Sequence, residues 1–280
     1  MAGSGFTQRL DGLLDWLYRN HEKPGHHERP RGQLWAMPPE PQPYPWADGY
    51  GENLQPGETF FLHYYQNQRY GSSTDNECVT TSVVMSMNIL KDWAAASTGH
   101  PADPDRILGE FTGSLDKLGV KAWRYRFSSR SFFPGFMTPW QAVLALRRHA
   151  AELRRKYGKS FKVKLSAWHT IEDLVERLRS GKLILLHGAW KRSIDPQKPG
   201  YNPLLGWLGG MPHTVLLVGY DSEADSWSLL NPADPWPPDH ETPVEPKLQK
   251  LTTQELMDFW GRQFLFYPPR FAITTIMVDE

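Results

Sequence analysis

The 280 residues carry 31 Lys and Arg against 31 Asp and Glu, a formal net charge of zero, with 40% hydrophobic and 22% charged residues. That balance gives the composition of an ordinary globular chain with room for a sizeable core, and it removes the electrostatic footprint of a nucleic-acid or acidic-membrane binder. A single cysteine excludes an intramolecular disulfide, and no run approaches the roughly 18 apolar residues of a membrane span.

In chain order, Phe6, Leu10, Leu13, Leu14 and Leu17 form a helical stripe without a basic region and apolar run of the secretory kind. A cytoplasmic location is therefore expected, with no membrane partner. From His21 to Gly57 the chain turns loop-like around "MPPEPQPYPW", because successive prolines remove donors and push their neighbours to extended geometry. Residues 1–59 are read as an N-terminal helix and proline-rich arm packed on a body formed by residues 60–280. "ETFFLHYYQ" reads as a strand, and helices are predicted from about Glu77 to Trp93, Pro104 to Leu118 and Pro139 to Tyr157. "SFKVKLSAW" alternates as a strand, and "TIEDLVERLRSG" is a capped amphipathic helix ending at Gly181. The strand-like runs "KLILLHGAW", "HTVLLVGYD" and "SWSLLN" follow, the last two joined by the short turn "SEAD". "TTQELMDFWGRQ" reads as a helix and "RFAITTIMV" as a final strand. Helices first and antiparallel strands second make an α+β layout.

The lone thiol, Cys78, stands where the polar run "GSSTDNE" meets an apolar helix. Thr74, Asp75 and Asn76 are each suited to cap that helix, which leaves Cys78 in its first turn. Free N–H groups and the helix dipole there favour an anion, so the thiol is expected below its ordinary pKa of about 8.5, and the thiolate is the nucleophile. Buried filler is the competing role for a lone cysteine. His213, at the start of an apolar strand in "GGMPHTVLLVGYD", is the natural general base. A third group must hold its tautomer, and either Asn231 or Asp234 in "WSLLNPADP" is reachable, because one bulge shifts the register. Gln66 and Gln68 in "YYQNQRYG" offer amides for an oxyanion. His21, His26 and His27 lie in a polar loop and are read as solvated. No metal or cofactor is expected.

Together, "NQRYGSSTDNECVTTSVVMSMNIL" and "PHTVLLVGYDSEADSWSLLNP" resemble the papain-like cysteine peptidases related to the bacteriocin leader-processing (double-glycine) peptidases. In papain-type enzymes the His lies about 130–150 residues beyond the Cys, as His213 does here. The resemblance covers roughly Phe60 to Asp234, with a helical insertion between Lys91 and Gly181. It implies a papain-like fold, with Gln68 as the oxyanion glutamine, Cys78 as nucleophile and His213 as base. Asn231 falls where the family places an aspartate before proline, and Pro212 replaces the glycine usual before the histidine. The implied activity is cleavage of peptide bonds through an acyl-enzyme, with a peptide or protein as substrate. An amidase or acyltransferase and an inactive papain-like binding module are the alternatives, and the sequence leaves substrate and oligomeric state open.

Overall fold

A computed structural model describes residues 32–36, 56–68, 78–100, 106–109, 122–125, 138–190, 211–234, 242, 244–262 and 270–279. Within these, β1 is Gln33–Trp35, α1 Pro56–Leu62, α2 Cys78–Ala96, β2 Arg106–Gly109 and β3 Ala122–Tyr125. Then come α3 (Pro139–Tyr157), β4 (Ser160–Ser166), α4 (Ile171–Arg179), β5 (Leu183–Trp190), β6 (Met211–Asp221), β7 (Ser226–Leu230), β8 (Gln249–Thr252), α5 (Thr253–Trp260) and β9 (Ala272–Asp279).

Three helices start on the same chemistry. Thr138, Thr170 and Thr252 each accept from the third residue on, and Gln141, Asp173 and Glu255 reach back to the capping residue's N–H. Helix α3 adds Pro139 in its first turn, basic residues in its last, and Gly158 at φ 72°, a left-handed stop that suits glycine. The β4–α4 connection is fastened by a polar chain in which His169 contacts Ser166 Oγ at 2.7 Å and Asp173 Oδ2 at 3.3 Å.

Helix α2 is buried on nearly every side. Its polar residues are accommodated locally: Ser86 donates to the Ser82 carbonyl and Asn88 to that of Val84. Against it stands an antiparallel sheet in the order β4-β9-β5-β6-β7-β8, with β1 added to β6 at Gly219–Asp221. The last strand, β9, inserts between β4 and β5. Strand β5 is buried on both faces, as its unbroken apolar run requires. No helix among the described residues is long and apolar enough to cross a membrane.

Two expected elements differ. "ETFFLHYYQ" continues helix α1 and is not a strand: Pro56 opens the helix, Glu58 lies in its first turn, and Phe60 meets Tyr64, in the turn that follows, edge-on at 5.2 Å. The helix expected over Pro104–Leu118 is interrupted by β2, which pairs in parallel with β3. Pairing with a distant segment decides there over local propensity. The N-terminal stripe and most of the proline-rich stretch lie outside the described residues, although Gln33–Trp35 within that stretch is a strand of the main sheet.

Candidate active site

Cys78 is the first residue of α2 and is 7% exposed. The residues expected to cap it, Thr74, Asp75 and Asn76, lie outside the described residues. Its sulfur is approached by the backbone N–H of Thr214, in the middle of the sheet, and by that of Val79. One helical turn on, Ser82 Oγ donates to the Thr214 carbonyl at 3.0 Å. The reason lies in the sheet: β6 pairs with β7 only as far as Leu216–Leu230. Beyond that point the polar groups of Thr214 need other partners, and the first turn of α2 supplies them.

The residue before Thr214 is His213, 1% exposed. Its Nε2 lies 2.7 Å from Asn231 Oδ1. Asn231 Oδ1 also accepts from the Ala233 N–H at 3.0 Å, and its Nδ2 donates to Gln249 Oε1 at 2.9 Å. The amide is therefore oriented oxygen-first toward the ring. An oxygen can only accept, so His213 Nε2 carries the proton and Nδ1 holds a lone pair. That Nδ1 is buried and has no hydrogen-bond partner among the described residues. Asp234, the other residue considered for this contact, turns its carboxylate to Lys247 at 3.5 Å, while its carbonyl accepts from Tyr65 Oη at 2.8 Å.

Gln68 is fully buried, and its backbone N–H donates to the Pro232 carbonyl at 2.8 Å. The segment before Cys78 is thereby tied to the turn that carries Asn231. Gln66 is half-buried, its N–H against Met85 Sδ at 3.3 Å. An aromatic wall flanks the imidazole: Trp190 is 6.5 Å and Phe259 6.4 Å from the His213 ring, and the two lie 4.4 Å apart. Gly188, the cross-strand partner of His213, lets α5 come this close, since a Cβ there would sit 2.6 Å from the Phe259 carbonyl oxygen. Thr214, Ser82, Gln249 and the aromatic wall escaped the sequence reading because their roles arise from contacts distant in sequence.

The lowered thiol pKa expected from the helix start is not what the fold produces. Burial pushes the Cys78 thiol up to about 11, with the backbone N–H of Thr214 opposing it. Burial likewise holds His213 down to about 4, with the Asn231 hydrogen bond opposing. Taking both groups out of water opposes the helix end and favours the neutral thiol and the neutral imidazole. Elsewhere, His187 is sandwiched between the hydroxyls of Thr214 and Thr274, each at 2.9 Å. No group of three or more His, Cys, Asp and Glu among the described residues is placed to hold a metal. The three N-terminal histidines and residues 191–210 lie outside the described residues.

The model of the Peptidase_C39-like family matches residues 61–260, which include α2, β6, β7 and β8. Among solved structures, the chain is similar to a candidate C39-like peptidase from Bacillus anthracis, at 14% identity and a TM-score of 0.35, over 77% of this chain and 95% of that one. No curated protein matches. The mixed helices and antiparallel sheet are the α+β papain-like architecture of such peptidases.

Proposed function

We propose that this chain, which belongs to the Peptidase_C39-like family, is a cysteine peptidase working through Cys78, His213 and Asn231. The observation that carries the reading is the unpartnered Nδ1 of His213, one residue from the Thr214 N–H that touches the Cys78 sulfur. A bare imidazole nitrogen, carried one residue along the strand from the backbone contact to the thiol, is what a general base offers.

In this reading the sulfur attacks the carbonyl carbon of a peptide bond as its proton passes to His213 Nδ1. The imidazolium keeps its Nε2–H on Asn231 Oδ1, which favours the charged ring as it forms. The oxyanion is held by the Cys78 N–H and the Gln68 side chain. The carbon–nitrogen bond then breaks, and His213 Nδ1 gives the proton to the departing amine. Water, deprotonated by the same nitrogen, cleaves the thioester and restores the thiol. The step needs no redox partner. Transfer to an amine in place of water would make the same site an acyltransferase.

A second reading, a papain-like module that binds without cleaving, draws on the burial of Cys78. Incubation with a diverse peptide library, followed by mass spectrometry, separates the readings. The peptidase reading predicts free-acid products from the wild type and none from Cys78→Ala; excess glycinamide diverts products to amides only for a transferase. Intact peptides in the wild-type arm would favour the binding module.

A further inference from the structure

We propose that Gln249 is a positioning residue of this site, acting through Asn231 to hold His213 in its working tautomer. The inference rests on the proposed Cys78–His213 chemistry and adds to it a residue on a separate strand.

A primary amide is asymmetric, with a donor at one end and an acceptor at the other, so Asn231 orients His213 correctly only when its oxygen faces the ring. Reversed, the NH2 group would face Nε2 and favour the tautomer with the proton on Nδ1. That would remove the lone pair that takes the thiol proton. Two contacts oppose reversal: Ala233 N–H to Oδ1 at 3.0 Å and Asn231 Nδ2 to Gln249 Oε1 at 2.9 Å. The Ala233 contact is main-chain and comes with the turn. The Gln249 contact depends on a side chain, and the sheet delivers it. Leu229 and Gln249 are cross-strand partners. Asn231, two residues beyond Leu229, is therefore a diagonal neighbour of Gln249 on the same face. Asn231 is 4% exposed, so an Nδ2 stripped of its acceptor has little water to turn to.

A carboxylate in place of the Asn231 amide has two equivalent acceptor ends and needs no such lock. The dependence on Gln249 must therefore vanish in an Asn231→Asp background. The experiment uses full-length protein and the 15N shifts of the His213 ring, in wild type, Gln249→Leu, Gln249→Glu, Asn231→Asp and the double variant Asn231→Asp with Gln249→Leu; Gln249→Ala serves if the leucine variant does not fold. Wild type and Gln249→Glu are expected to show the Nε2–H tautomer alone. Gln249→Leu is expected to show a mixture with more than roughly a tenth Nδ1–H, and both Asn231→Asp proteins Nε2–H alone. On a peptide that the wild type cleaves, Gln249→Leu should lower kcat/KM on the order of ten-fold, mostly through kcat, with Gln249→Glu near wild type. An unchanged tautomer in Gln249→Leu, or an equal change in both backgrounds, would overturn the proposal. Absence of any cleaved peptide would sink the peptidase reading, and the tautomer measurement would still decide the role of Gln249.

Discussion

At the scale of single residues, the proposed chemistry turns on which charges the interior tolerates. A thiolate at Cys78 and an imidazolium at His213 are each costly where they lie, so the proton is best moved while the sulfur attacks. In the proposed reaction Asn231 would stabilise a charge that exists only during the proton's transfer, the economical place for an electrostatic contact. The cysteine and histidine were legible because a unique thiol at a polar-to-apolar join and a histidine opening an apolar strand are local patterns. The partner of the ring was legible only as Asn231 or Asp234 until the family resemblance favoured Asn231. The register shift between Leu217 and Gly219 alters which residue of "NPAD" meets the histidine, and no local pattern announces it. The thiol's pKa was misjudged for the same reason: a helix start is visible in sequence, and the burial that overrides it is not.

At the scale of elements, the decisive joint is between the first turn of α2 and the stretch of β6 that lies beyond its pairing with β7. Removing the Ser82 hydroxyl leaves the Thr214 carbonyl buried without that donor. Ser82→Ala is predicted to cost about 1–3 kcal/mol of stability. Urea unfolding at neutral pH measures it, and an unchanged midpoint would show that the joint does not depend on this bond. The well-capped helices α3, α4 and α5 and the strands β4 to β7 and β9 were readable, because period, caps and stops agreed within each segment. Where they failed to agree, tertiary contacts decided: α1 was obscured by an aromatic run that also suits a strand, and β2 exists through its pairing with β3.

For the whole molecule, the three buried histidines among the described residues contribute to the response to acid. Burial holds His149 at about 4, His187 at about 3 and His213 at about 4. In the unfolded chain an imidazole takes its proton near 6.5. Above that pH the folded and unfolded forms bind the same number of protons at these sites. Below it the unfolded form binds more, so stability present above pH 6.5 is lost as the pH falls toward 4. Each histidine removes about 1.4 kcal/mol per pH unit across that window. Urea unfolding at pH 7, 6 and 5 should therefore show a steepening fall, with proton uptake on unfolding approaching three near pH 5. A flat stability over that range would contradict the burial of these rings. The insertion of β9 between β4 and β5, by contrast, had no trace in the sequence, since it pairs β9 with segments 85 to 119 residues earlier in the chain.

The most direct measurement is acylation of the single thiol by p-nitrophenyl acetate at pH 7, followed by intact mass and peptide mapping, in wild type and His213→Ala. The predicted result is one acetyl group per chain, on Cys78, formed on the order of a hundred-fold or more faster with the histidine than without it. Equal rates in the two proteins, or an acetyl group carried elsewhere, would contradict proton transfer from Cys78 to His213.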